Sequence, residues 1–258
     1  MSGGGELTRE RLRAALKRPF RLLEECGSTN VVAKELAAGG ERGELIVVAR
    51  RQSAGKGRLG REWFSNPDES LTFSVLIRPR LAATEAPLVC LAAAVGVARA
   101  TGLGIKWPND ILDSNGRKVA GVLAEVELSN RGDVEWMIVG IGVNVAQKSF
   151  PPELPNPGSL LLAGAGPLDR VELLGSIEAE FDVALTALQR SRGELLELWR
   201  SSDVTVGREV RVGEVAGRAI ALREDGALMV RSVVGGEERD VAILSGDVEM
   251  VRAANKPL

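Results

Sequence analysis

Four short segments hold the side chains best suited to chemistry: Ser28-Thr29-Asn30, Gly55-Lys56-Gly57-Arg58-Leu59-Gly60-Arg61, Lys106-Trp107-Pro108-Asn109-Asp110 and Lys118-Val119-Ala120-Gly121. The second combines glycines with cations, so it can fold over a polyanion using backbone N–H groups and charged side chains. A solvated basic turn is its plainer alternative. The first supplies two hydroxyls and an amide, suited to a neutral urea-like ring that both donates and accepts hydrogen bonds, although helix capping also accounts for it. In the third, a cation and an acid stand at a strand end with Pro108 fixing the turn between them, or a Trp simply packs on a polar turn. In the fourth, Lys118 heads a strand and can point its amine into the same cleft, where Gly121 lets a ligand approach the backbone. A surface Lys on an edge strand is the default reading there. Together the segments offer flexible backbone, fixed cations and stacking surface, which activation of a carboxylic acid by a nucleoside triphosphate requires.

Two better-known phosphate loops do not fit. Gly55 to Gly60 matches the dinucleotide fingerprint GxGxxG after a strand, but that fold needs a helix opening at the loop and an acid about twenty residues on. Arg61-Glu62-Trp63-Phe64-Ser65-Asn66-Pro67 follows instead, and Arg78-Pro79-Arg80 stands where the acid belongs. A Walker A loop fails because Arg50 occupies its first Gly position and Gly57 follows the Lys.

The elements around these segments can be read from pattern. Glu6 to Lys17 suits a short helix, and Ser28 or Thr29 can cap another running through Leu36 to Gly39-Gly40. Leu45 to Ala49 is a buried strand leading into the glycine-rich loop, and Leu71 to Ile77 a second, ended by Pro79. Pro87 and Gly102-Leu103-Gly104 bracket an apolar helix. Val119 to Leu128 and Trp136 to Val145 form a strand pair across Ser129 to Asp133. Pro151 to Pro157 is a surface loop; Asp169 and Glu172 start a helix reaching about Arg190, and Gly193 to Trp199 is a shorter one. From Val204 the texture changes to short strands split by Gly turns: Val210 to Val212, Arg218 to Leu222, Ala227 to Arg231 and Val248 to Val251. These suggest a small barrel.

Composition narrows the chemistry. With 258 residues the chain suits one large domain, or one plus a small appendage. Lys plus Arg (33) nearly balance Asp plus Glu (35), so nothing global favours nucleic acid or an anionic membrane. The absence of histidine excludes Ser-His-Asp and Cys-His catalysis and His-ligated metals. Cys26 and Cys90 offer neither a disulfide framework nor zinc spacing. Met1 to Gly5 lack a basic and an apolar signal region, and Ala86 to Ala100, which carries Arg99, is short for a membrane span. A soluble, cytoplasmic protein is expected.

In order and spacing the four segments resemble the biotin protein ligases, from about Cys26 to the C-terminus. The loop is similar to the family's Gly-Arg-Gly-Arg-x-Gly-Arg, with Gln52 and Trp63 at the family's flanking places; Lys56 replaces an Arg and loses its planar fork. Lys106 to Asp110 is a highly specific signature of the family. The resemblance implies an α+β fold, with a class II synthetase-like mixed sheet over residues 20–202, a flexible or short helical 1–19, and an SH3-like β-barrel over 203–258. It implies that biotin and MgATP give biotinyl-5′-AMP, whose acyl group passes to a lysine of a biotin carboxyl carrier domain. Ser28, Thr29, Asn30 and Gln52 would meet the biotin head group, with Gly55, Lys56, Gly57, Arg58, Lys118 and Gly121 completing that site. Arg58, Arg61, Trp63, Lys106, Asn109, Asp110 and Asn144 would hold ATP or the adenylate. Arg58, Lys118, Asp110 and Lys106 would carry catalysis, with Asp110 the carboxylate for Mg²⁺. Repressor members of the family carry a winged-helix domain, and with fewer than twenty residues before Phe20 no DNA role is expected. A homodimer is left open. The competitors are a lipoate or octanoate transferase of the same superfamily and a non-catalytic nucleotide-sensing module.

Overall fold

A computed structural model describes residues 5–250 of the chain. In order its elements are α1 (Arg9–Ala15), β1 (Phe20–Cys26), α2 (Thr29–Ala38), β2 (Leu45–Gln52), β3 (Ser70–Ile77), α3 (Ala86–Thr101), β4 (Gly104–Lys106), β5 (Asp110–Leu112), β6 (Lys118–Leu128) and β7 (Val134–Asn144). They continue as α4 (Leu160–Ala163), α5 (Arg170–Arg190), α6 (Arg192–Arg200), β8 (Glu209–Val212), β9 (Val215–Leu222), β10 (Leu228–Val234), β11 (Glu237–Ile243) and β12 (Glu249–Met250). The first seven strands form a mixed sheet in the order β1-β2-β3-β7-β6-β5-β4, parallel only at β1–β2. The chain is therefore α+β, as expected.

Both faces of the central strands are covered, which explains why Leu45 to Ala49 is apolar without alternation. Ile46 and Val48 enter the main core with α3, α5 and α6, while Leu45 and Val47 pack with Ala33 and Ala37 of α2. The segment Ala83–Thr101 is long and apolar enough to cross a membrane. Its Leu88, Val89, Leu91, Val95 and Val97 are instead buried in the core, where α3 contacts α5 and β6. Asp169 caps α5 by accepting from the N–H groups of Val171 and Glu172.

Several expectations are corrected. The first helix is shorter than Glu6 to Lys17, because Thr8 accepts from the Arg11 N–H as its cap and Leu16 is already extended. Lys106 and Asp110 do stand at strand ends, closing β4 and opening β5, and what the sequence did not show is that the two strands pair as a hairpin with a cis Trp107–Pro108 bond in its turn. The strand β1, the helix α4 and the strand β11 are additional elements.

The last five strands form an antiparallel sheet in the order β11-β10-β9-β8-β12, and the expected end of β12 at Val251 lies outside the described residues. This second sheet is built onto the first. Val204 donates to the Ile105 carbonyl at 3.0 Å, Ile105 to that of Ser202 at 2.7 Å, and the Trp107 indole to the Gly226 carbonyl at 2.9 Å. Val210, Val212, Leu222, Leu228 and Val230 join the same hydrophobic core as α3.

Candidate active site

On the α2 face of the sheet, the helix packs its apolar residues on Trp136 and Ile138 of β7 and brings its first turn over the strand's continuation. There the next two residues on that face are Gly140 and Gly142, and Gly142 pairs across the ladder with Gly121 of β6. A Cβ at Gly140 would fall 2.1 Å from Asn30 Oδ1, and one at Gly142 would fall 2.4 Å from the Trp63 ring. The glycines leave a bare floor, above which opens a cavity of about 570 Å³.

One end of this cavity is a buried polar cluster. Gln52 Oε1 accepts from the Thr29 N–H at 2.7 Å and the Thr29 hydroxyl at 3.0 Å. Ser74 Oγ lies 2.7 Å from Thr29 Oγ1 and 2.6 Å from Asn30 Oδ1, and Asn30 Nδ2 donates to Glu125 at 2.6 Å. Ser28 sits at the N-cap of α2 without a side-chain capping bond, correcting the capping expectation; Gln52 serves the Thr29 N–H instead. Ser28, Thr29 and Asn30 are nearly buried yet line the cavity with hydroxyl and amide groups, so this end suits a ligand group that both donates and accepts. Ser74 and Glu125 escaped the sequence reading. The signal for Ser74 was there: Ser70, Thr72 and Ser74 alternate within an otherwise apolar strand.

The glycine-rich segment is folded back on itself. Trp63 donates to the Gly55 carbonyl at 2.9 Å and Gly57 to that of Arg61 at 2.7 Å, with Leu59 in the left-handed region at the tip. A Cβ at Gly55 would lie 2.6 Å from the Trp63 carbonyl, so the close pairing depends on glycine there. Trp63 rests on the Gly121–Gly142 floor with its Nε1 unpartnered, and Lys118 Nζ lies 5.8 Å from its ring centre.

Cations gather at the other end. Arg58, Arg61, Lys56 and Lys118 line the cavity. Arg58 donates through one terminal nitrogen to Asn109 Oδ1 at 2.9 Å, and Asn109 Nδ2 donates to the Val122 carbonyl at 2.7 Å, so Asn109 buttresses the hairpin turn. Asn144 lines the cavity and ties β7 to the following loop through the Gly158 carbonyl. Phe150, Glu153 and Leu154 of the proline-rich loop form a further wall, which the sequence reading had left as plain surface.

Lys106 and Asp110 lie outside the cavity lining. Asp110 takes the Lys118 ammonium at 2.5 Å and that of Lys106 at 2.9 Å, while Lys106 also donates to the Val248 carbonyl. Here Lys106 and Asp110 pair with each other, and Asp110 also holds Lys118. They stand behind Lys118 and fix it. Burial opposes ionisation of Asp110, but Lys118 and Lys106 outweigh it and hold the carboxyl below the ordinary range. Two ammoniums on that carboxylate leave Asp110 a poor ligand for a divalent cation, and among the described residues no three acidic, Cys or His side chains gather as a metal site. Cys26 and Cys90 are free, and burial pushes the Cys90 thiol up to about 11, so it is an inert thiol near neutral pH.

Residues 25–144 match the model of the biotin/lipoate A/B protein ligase family. The chain is 31% identical over 253 residues to the biotin--[acetyl-CoA-carboxylase] ligase of Mycobacterium tuberculosis, covering 91% of this chain and 90% of that protein. It is 32% identical over 242 residues to the bifunctional ligase/repressor BirA of Bacillus subtilis, covering 86% of this chain and 71% of that protein. Among solved structures it resembles a biotin protein ligase from Aquifex aeolicus in complex with biotin and ATP, with a TM-score of 0.71, 30% identity, and coverage of 92% of this chain and 100% of that one.

Proposed function

The chain belongs to the biotin protein ligase family and attaches biotin in an ATP-dependent reaction, and we propose that the cavity above the glycine floor carries both half-reactions. The observation behind this is the cavity's division: buried hydroxyls and amides at one end, four cations at the other, and a floor without side chains between. Biotin has matching chemistry, with a ureido ring at one end and a carboxylate at the other. Its head would lie against Ser28, Thr29, Asn30 and Gln52, and its chain would run beside Gly121, Gly142 and Trp63. A carboxylate oxygen attacks the α-phosphorus of ATP and pyrophosphate leaves. The amine of a carrier-domain lysine then attacks the acyl carbon, releasing AMP and one proton. The first approach brings two negative groups together, and in the second negative charge develops on the acyl oxygen and the departing phosphate, so Arg58 and Lys118 would act where charge develops in the transition state. Trp63 and the wall at Phe150 would keep water from the hydrolysable adenylate.

A lipoyl or octanoyl chain carries no ureido group and could not exchange hydrogen bonds with the polar cluster at Ser28, Thr29 and Gln52, which disfavours it. The test is a mass measurement on a purified biotin carboxyl carrier domain incubated with the protein, MgATP and either biotin, lipoate or octanoate. Modification of one lysine by biotin alone is expected. Modification by lipoate or octanoate alone, or none at all, would reject the reading. Free thiols at Cys26 and Cys90 support a reducing compartment such as the cytoplasm.

Ser74 gives a sharper check on the ring end. Its hydroxyl bridges Thr29 and Asn30 within hydrogen-bonding distance and is fully buried. Ser74→Ala should raise the biotin Kd by roughly five- to thirtyfold, the worth of about 1–2 kcal/mol for one buried hydrogen bond, with the ATP Kd little changed. Calorimetry with each ligand separately decides it.

A further inference from the structure

Three successive residues of the second sheet's final loop each grip a cation of the site. The Gly246 carbonyl accepts from Arg58 at 3.3 Å, and the Val248 carbonyl accepts from Lys106 at 3.1 Å. Between them the Asp247 carboxylate meets Arg61 at 2.8 Å and Arg58 at 3.8 Å. The grip is one-sided. Arg58 is held through a single nitrogen, shared by Asn109, Gly246 and Asp247, and its other two nitrogens have no protein partner among the described residues. Arg61 likewise gives Nε to the Arg58 carbonyl and one terminal nitrogen to Asp247. Both guanidiniums line the cavity.

An acid beside a phosphate site repels its ligand, so Asp247 needs an offsetting role. Fixing a planar cation by one corner supplies one, because the remaining fork of donors is then aimed without further loss of side-chain freedom. The clamp is itself anchored: Val248 is buried, and Glu249 and Met250 pair with β8. We propose that Asp247 is a positioning residue that aims Arg58 and Arg61 into the cavity. This rests on the ligase reading, since it takes the polyanion at that end to be the triphosphate of ATP and then the phosphate of the adenylate.

The test compares Asp247→Ala, Asp247→Asn and Asp247→Glu in the full-length protein. Asp247→Ala should weaken ATP binding by about tenfold, the scale of one charge-assisted hydrogen bond, and slow single-turnover adenylate formation, while biotin affinity stays within about twofold of wild type. Asp247→Glu should restore most of both losses, and Asp247→Asn should fall between. Unchanged ATP binding in Asp247→Ala overturns the proposal. So does tighter ATP binding, which would make Asp247 a competing counter-ion, and so does an equal loss for biotin and ATP with a lowered melting temperature, which would make it a fold contact. ATP affinity is read by calorimetry and needs no turnover, so a wild type that binds ATP but makes no adenylate would refute the ligase reading separately.

Discussion

Lys118→Ala should cut the rate of biotinyl-AMP formation by roughly two to three orders of magnitude, the usual cost of removing one oriented donor from a developing charge. The geometry explains why this lysine, among several cations, should matter so much. Its backbone is pinned on both sides, donating to the Asn156 carbonyl at 2.8 Å and accepting from the Gly158 N–H at 2.8 Å. Its side chain then lies over the bare face of Gly121 and beneath the reach of Trp63, with Asp110 holding the ammonium. A donor held this way pays little reorganisation as charge builds on the phosphate. A second consequence follows for Asp110. Lys118 is the stronger of the two charges that hold its carboxyl below the ordinary range against the effect of burial. A depressed carboxylate contributes stability above its unfolded pKa and loses it as pH falls through the folded one. Without Lys118 the folded pKa rises, so Lys118→Ala should begin to lose stability on acidification at a higher pH than wild type. Single-turnover measurement of biotinyl-AMP checks the first effect and acid denaturation the second. A rate within about threefold of wild type would make Lys118 a structural counter-ion of Asp110 and no more.

Much of the frame behind this site was legible before any coordinates. The strands β2, β3, β6 and β7 have strong apolar runs, and α3 and α5 carry their own start and stop signals in Pro87, Gly102 and Asp169. The strand β1 was not legible because only Leu22 of its seven residues is buried: an edge strand reading Phe-Arg-Leu-Leu-Glu-Glu-Cys shows no clean period. The strands β4 and β5 have three residues each, too few for a pattern. In β11 the Glu237 to Asp240 half is exposed and charged, so it looks like a loop.

The site divides similarly. Motifs contiguous in sequence gave Thr29, Gln52, Arg58 and Lys118, all of which line one cavity. Partners contributed from afar were invisible: Ser74 and Glu125 reach Asn30 from other strands, and Gly246 meets Arg58 from 188 residues away. The residue types of a motif also do not show which of its charges pair with one another. Lys106 and Asp110 belong to the signature, yet the hairpin turns them behind Lys118, where they position it.

Arg58→Gly separates making the adenylate from keeping it. At the guanidinium the folded-back loop, the Asn109 turn and the second sheet meet, through contacts at 2.9 Å to Asn109 and 3.3 Å to Gly246. Deleting it removes a phosphate clamp and frees the loop from the Asn109 turn, leaving Arg61–Asp247 as its tie to the second sheet, while a fourth glycine in the loop loosens the backbone further. The polar cluster at Thr29, Asn30 and Gln52 is untouched, so biotin affinity should fall only modestly. Release of biotinyl-AMP should accelerate by roughly ten- to hundredfold, as expected for the loss of one or two charge-assisted hydrogen bonds. The freed adenylate is a reactive mixed anhydride, so it should acylate exposed lysines on bystander proteins when biotin and MgATP are supplied. A ligand-chase experiment measures the release rate directly, and biotin labelling of an unrelated protein in the same tube measures the leak. If the variant holds its adenylate as long as wild type does, Arg58 is a structural tie between loop and second sheet and the phosphate clamp must be sought at Lys118 or Arg61.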